Sequence, residues 1–424
     1  MSSHPLARQL PRKTGDSPSL HEGCHAFRSF SIPSTLPNNV KHYLSTDEPL
    51  ICLFINSFTD GTLVSITFPH SLSDAMGTAG LLKAWSQSLR DSRADNLDVE
   101  LGGAWEDAMA SVGTPDDLVA KETEFVLESR QTRGFSLITF IARFIWDALI
   151  RRNVETKHIY LPACFLSHLR KQAEEGLWPV THNRGIDGKN KGSGESGCVT
   201  FVSDGDLITA WGARMVLSSA PRGYSAAICN VFDIRGRLDV FKSQSPSQSQ
   251  SKSRSRAYLQ NLILPSTTLL TADEAQNLSV GGLAGRIRRS IIEQTGEAQV
   301  RSLVRLARDW FTNLGTMPLF VSRDTARVIA CTNWSKAQFL EHADFGPAVI
   351  VNPAKSQGGC KDDNNKLSVK PVAYWGTTLA VADSPRDTFV VYGKDGDGNY
   401  WLHAYLRTET WDLIKMELEQ FNAT

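Results

Sequence analysis

The chain has 424 residues, enough for two lobes each burying its own core. Lysine plus arginine and aspartate plus glutamate both number 45, so no global field directs it to nucleic acid or an anionic membrane. Seven cysteines, an odd number without a Cys-x-x-Cys pair, argue for reduced thiols and a cytoplasmic protein over a disulfide framework. Met1–Arg12 lacks the apolar core of a secretory signal.

In chain order, a polar segment runs from Met1 to about Asp47. Within it, His21-Glu-Gly-Cys24-His25 offers ligand atoms, but haem needs Cys-x-x-Cys-His and zinc a second ligand pair at ordered spacing, so no metal is expected. Leu50–Phe58 and Thr62–Phe68 bracket Thr59-Asp60-Gly61 and predict a β-hairpin. Gly77, Leu81, Trp85 and Leu89 then recur every four residues, predicting a helix over 74–91. His70 thus stands where a strand hands over to a helix, with Asp74 in or beside the first turn, where the helix dipole favours a carboxylate. An imidazole so placed can serve as a general base near neutral pH.

Phe135–Ile150 is too short and too interrupted, by Thr139, Arg143 and Asp147, to span a membrane. It predicts a buried amphipathic helix with Arg143 and Asp147 paired on its surface. A strand (His158–Leu161) and a helix (Cys164–Glu174) follow, and Gly176–Gly197 reads as a crossover between lobes. Beyond it come strands at 224–232, 327–332, 388–393 and 400–406, and helices at 279–294, 296–313 and 409–421. Lys242–Arg256 is a low-complexity serine tract, expected to be a disordered insertion. Asp395-Gly-Asp397-Gly-Asn399 begins like a calcium loop, but Tyr400 and Leu406 occupy its glycine and glutamate positions, so it reads as a hairpin turn. Gly281-Gly282 lacks the Gly-Lys-Ser/Thr of a phosphate loop and reads as a helix start with a basic face at Arg286, Arg288 and Arg289.

Five motifs in one order carry a family resemblance: His70-x-x-x-Asp74, Phe201–Trp211, Asn230–Arg237, Tyr258-Leu-Gln-Asn261, and Asp344-Phe345-Gly346 after Thr332-Asn333-Trp334. Together they resemble the BAHD acyltransferases, CoA-dependent O- and N-acylating enzymes, in the fungal secondary-metabolism branch akin to trichothecene acetyltransferases. The kinase motifs that would accompany Asp-Phe-Gly are missing, and no Gly-x-Ser-x-Gly elbow calls for a serine hydrolase. Departures are Ala75 and Gln260, where the family has glycine, Pro347-Ala348 after the Asp-Phe-Gly, and an early His70.

The resemblance implies an α/β (α+β) fold of two chloramphenicol-acetyltransferase-like lobes, each a mixed sheet with helices, and an active-site channel between them. Residues 1–178 would form the N-terminal lobe, incomplete at its start, 179–199 the crossover, and 200–424 the C-terminal lobe carrying the insertion 242–256. It implies acyl transfer, with acetyl-CoA or another acyl-CoA as co-substrate and no resident cofactor, to a hydroxyl or amine of a small secondary metabolite. His70 would be the base. Asp74 would pair with Arg235, supported by Gly77; Asp344, Phe345 and Gly346 would be structural. Thr332, Asn333 and Trp334 would meet the oxyanion or substrate. The expected protein is a monomer with neither nucleic-acid nor membrane partners. The alternative is an inactive or truncated relative that binds a ligand or partner.

Overall fold

A computed structural model describes residues 1–33, 39–91, 98–103, 105–150, 153–176, 201–242, 255–349, 368–376 and 385–423. Its strands are β1 (Ser19–Glu22), β2 (Cys52–Phe58), β3 (Gly61–Thr67), β4 (Val99–Gly102), β5 (Val154–Leu161), β6 (Ser225–Asp233), β7 (Ser255–Tyr258), β8 (Ile263–Leu270), β9 (Thr325–Asn333), β10 (Thr388–Lys394) and β11 (Tyr400–Arg407). The long helices are α1 (Ala75–Arg90), α2 (Gly134–Ile150), α3 (Ala163–Gly176), α4 (Asp204–Ser218), α5 (Val280–Gln294), α6 (Glu297–Leu314) and α7 (Thr408–Asn422).

Seven strands form one mixed sheet in the order β1-β5-β11-β10-β9-β6-β8. Only β10–β9 and β9–β6 run parallel. Side chains alternate across a pleated strand, so each strand offers one set of residues to either face. Ile159, Leu161, Leu402, Leu406, Phe389, Val391, Ile228 and Ile329 point to one face and are covered by α3, α4, α5 and α7 in the main core. Burying each such side chain contributes on the order of 1.5–3 kcal/mol. Residues of opposite parity, among them Thr332, Thr388, Val390, His403 and Tyr405, line a cavity on the other face. Across it stands the β2–β3 hairpin, a separate two-stranded sheet in register from Cys52↔Thr67 to Phe58↔Gly61.

The mixed α/β architecture is as anticipated, and most helices and strands fall within a few residues of their expected positions. The strands are distributed otherwise than as one sheet per half. β1 and β5, from the N-terminal side, join the same sheet as β6 and β8–β11, because β11 pairs along its whole length with β5. The expected crossover at 179–199 lies outside the described residues.

Two expectations need correction. Helix α2 is not buried: it contains no buried residue, and Phe135 and Trp146 are 75% and 65% exposed. Its polar stripe faces inward instead, with Asp147 bonded to Arg407 and Arg327 and Arg143 lying over the Tyr224 ring. The serine tract 242–256 does not end as a loose loop. Ser255 and Arg256 begin β7, which pairs in parallel with β4, and Arg256 pairs with Glu106. Residues 243–254 lie outside the described residues. No described helix is long and apolar enough to cross a membrane.

Candidate active site

Strand β3 ends at Thr67, and a tight turn closed by Leu72 N–H donating to the Pro69 carbonyl (2.9 Å) carries the chain to α1. His70 sits in this turn, exposed on the wall of the cavity. Its carbonyl accepts a hydrogen bond from Asn261 Nδ2 at 2.7 Å, which fixes the backbone that presents the imidazole. Asp74 is the N-cap of α1, accepting from Gly77 N–H at 2.9 Å, as a carboxylate at a helix start should.

The remaining capacity of Asp74 goes to holding the site together. Arg235 grips both of its oxygens at 3.0 Å, and Leu262 N–H donates to Oδ2 at 2.8 Å. The same guanidinium donates to Asp233 at 2.6 Å and to the carbonyls of Tyr258 and Gln260 at 3.0 and 2.8 Å. A planar five-donor group suits this fork of acceptors, which a lysine could not satisfy. Gly77 is required for contact: a Cβ there would lie 2.2 Å from the Leu259 carbonyl oxygen. The segment 258–262 therefore wraps the histidine turn, held by β7 on β4 before it and by Asn261 and Leu262 within it.

The second motif grips the opposite end of the same helix. Asp344 pairs with Arg90 in the last turn of α1, and Phe345 meets Trp85 edge to face at 5.3 Å. Gly346 and Val369 N–H groups donate to Asp344 Oδ1 at 2.9 Å, and the Ser368 hydroxyl donates to Oδ2 at 2.8 Å. Burial pushes the Asp344 carboxyl up. The backbone donors, Ser368 and Arg90 outweigh it and hold the group down at about 2.

Thr332 and Asn333 end β9, Trp334 follows it, and all three line the cavity with His70 and Phe345. The Trp334 indole N–H donates to Thr332 Oγ1 at 3.2 Å, and Asn333 Oδ1 accepts from Ser335 N–H at 2.9 Å. The hydroxyl hydrogen of Thr332 and the amide nitrogen of Asn333 are thus the side-chain donors this segment can turn to a ligand. The cavity measures about 2470 Å³ and carries Arg170, Arg237 and Arg288 on its wall. It is larger than the roughly 300–1,000 Å³ of a pocket for one drug-sized ligand.

Of the residues singled out in the sequence, His70, Asp74 and 332–334 line one cavity, while Arg235 and Gly77 lie against Asp74 and the 258–262 segment. Sequence reading missed Arg90 and Trp85, whose signal was a basic and an aromatic residue late in α1, and Leu262, whose contribution is a backbone N–H. The Asp395–Asn399 segment is the turn joining β10 to β11, with Asp395 accepting from the N–H groups of Asp397 and Asn399 at 3.0 Å and from Lys13. The Gly281-Gly282 pair lies in the first turn of α5, capped by Ser279.

No family model matches the chain. Among curated proteins it is 50% identical to acetyltransferase BOT5 of Botryotinia fuckeliana, over 99% of this chain and 74% of that protein. It is 33% identical to O-acetyltransferase PaAT-2 of Phomopsis amygdali, over 99% of this chain and 80% of that protein. Among solved structures, F. graminearum TRI101 in complex with coenzyme A and T-2 mycotoxin shares the fold at a TM-score of 0.51 and 14% identity, covering 87% of this chain and 68% of that one. Identity of this extent over three quarters or so of each relative, with both motifs clamping one helix beside a shared cavity, places the chain in the BAHD-type acyltransferases of fungal secondary metabolism.

Proposed function

We propose that the protein transfers an acyl group, acetyl in the first instance, from acyl-CoA to a hydroxyl or amine of a small secondary metabolite. Donor and acceptor occupy the cavity together. His70 removes the acceptor proton as the oxygen or nitrogen attacks the thioester carbonyl. The tetrahedral intermediate collapses with cleavage of the C–S bond, and the CoA thiolate takes the proton back from the imidazolium. The observation carrying this reading is His70, on the cavity wall, with its backbone pinned by Asn261 and its loop pinned through Asp74 and Arg235. Thr332 and Asn333 are the proposed donors to the oxyanion, and preorganised donors of this kind are worth more in a site that excludes water. Asp74 is a positioning residue, since Gly77, Leu262 and Arg235 occupy both of its oxygens.

We place the enzyme in the cytoplasm as a monomer. The five described cysteines are free thiols, which suits a reducing compartment. A catalytically inactive, ligand-binding relative is disfavoured by the 50% identity to an acetyltransferase. The test is release of free CoA from acetyl-CoA in the presence of hydroxylated terpenoids, alkaloids or polyketides. His70→Ala should cost about 10²–10⁴-fold in rate with the fold intact by circular dichroism. Wild-type turnover by His70→Ala would remove the histidine from the mechanism.

A further inference from the structure

One buried cluster takes no part in this chemistry. On adjacent strands β5 and β11, His158 and His403 stand directly opposite each other, with ring centroids 4.8 Å apart. Cys24, at the start of a short turn after β1, brings its Sγ to 2.9 Å from His158 Nε2. The sulfur and one nitrogen of each ring all lie within 4.8 Å of one another, and all three residues are buried.

The hydrogen bonding of His403 sets its tautomer. Its Nδ1 faces the Tyr392 hydroxyl at 3.1 Å and the Gly376 carbonyl at 3.2 Å, and that hydroxyl already spends its proton on the same carbonyl. Nδ1 meets only acceptors and must carry the hydrogen, so Nε2 holds the lone pair. His403 Nε2 is buried without a hydrogen-bond partner, a cost that a native interior seldom carries. A ring whose N–H is fixed by a backbone carbonyl while its other nitrogen stands bare is the usual preparation of a metal-ligating histidine.

We propose that Cys24, His158 and His403 bind a zinc ion. Zinc displaces the thiol proton to solvent and forms one Zn–S and two Zn–N bonds. The fourth position takes water from the cavity, whose wall includes Cys24 and His403. Tetrahedral zinc sets such ligand atoms roughly 3.3–3.6 Å apart, so Cys24 Sγ and His158 Nε2 open from 2.9 Å while any wider pair closes, by side-chain rotation. The sequence offered only Cys24 with His21 and His25; the missing second pair comes from cross-strand register. The ion would brace the hairpin that presents His70. Residues 24–30 lead from Cys24 to Phe30, whose carbonyl accepts from Asn56 Nδ2 of β2 (2.7 Å) and Ser65 Oγ of β3 (3.1 Å).

The test uses the full chain purified with zinc, dialysed, and assayed for metal by mass spectrometry, with a parallel sample loaded with cobalt(II). The expected result is about one zinc per chain, a thiolate-to-cobalt absorption band, and a melting temperature that falls on chelation. Cys24→Ser should abolish the band, and His403→Gln should abolish zinc retention while keeping the circular dichroism spectrum. Absence of both zinc and the band in the wild type overturns the site, whether or not Cys24→Ser folds. So does a band that survives in folded Cys24→Ser, or zinc content unchanged in His403→Gln.

Discussion

Helices α1 and α2 are of nearly equal length and are attached to the molecule in opposite ways. Helix α1 is held at its ends, by Arg235 on the N-cap Asp74 and by Asp344 on Arg90, and it buries small residues, Gly77, Ala79, Ala84 and Ser86, along its length. Helix α2 is far more apolar, yet it docks through Asp147 on Arg327 and Arg407 and turns Phe135, Ile138, Ile145 and Trp146 outward. Hydrophobic content therefore does not say which helix is positioned rigidly. Clamping by charges at fixed points does, and it is the clamped helix whose N-cap lies four residues after His70.

The comparison breaks most visibly at Arg235. Its side chain is 14% exposed and that of Asp74 is 3% exposed, so Arg235→Ala leaves a buried carboxylate without its cation. The cost expected for such a pair is about 3–5 kcal/mol. Urea unfolding should show that loss, and any folded fraction should have lost acyl transfer, because Tyr258 and Gln260 are released along with Asp74. A loss below about 1 kcal/mol would mean the clamp does not hold the turn.

The other end of α1 should respond to pH. Asp344 titrates near 2 in the folded protein, below its ordinary 3.8, so it contributes stability that is present above pH 4 and lost as pH falls through about 2. Its side chain is 6% exposed, and the displacement corresponds to about 2 kcal/mol at neutral pH. Asp344→Asn should remove this amount at pH 7 and flatten the acid limb of the stability curve. If the wild type and Asp344→Asn lose stability in parallel between pH 4 and 2, Asp344 is not the group responsible.

How much of this was legible follows from distance along the chain. The hairpin, α1 and the helices at 280–294 and 297–314 announce themselves by local period and caps, as Ser279 before α5 illustrates. Strand β8 was not legible: Pro265 interrupts it, tolerable only because β8 is an edge strand paired solely with β6. The orientation of α2 was ambiguous because a helix with one polar stripe reads equally as apolar-in or polar-in until its partners are known. Those partners, Arg327 and Arg407, lie 180 and 260 residues away from Asp147. Asn261 is 191 residues from His70, so its bond to the histidine carbonyl could enter only through family resemblance.

Asp147 gives the next effect down. Arg327 and Arg407 also share Asp387, so among the described residues Asp147→Asn removes one of the two carboxylates that both cations meet. A loss of about 1.5–3 kcal/mol is expected, as for a hydrogen bond to a charged group, at the lower end because the Asp147 side chain is 22% exposed. Hydrogen exchange should quicken along 134–150 and stay unchanged along 75–90, which separates local undocking of α2 from global loss.

The smallest effect belongs to the outward face of α2, and it is the sharpest discriminator between the two helices. Ile145 is 52% exposed, so Ile145→Gln in the isolated chain removes little apolar surface from a protein interior. Substitutions at exposed positions usually fall within about 0.5 kcal/mol, and glutamine forms helix somewhat better than isoleucine. The matched change on α1, Ala84→Gln, forces a long polar side chain into a position that is 6% exposed and should cost several times more, by overpacking and by an unsatisfied amide. Unfolding midpoints measured side by side decide the matter. Equal losses at the two positions would mean that the apolar face of α2 is covered in solution, and that the two helices are held less differently than their ion pairs indicate.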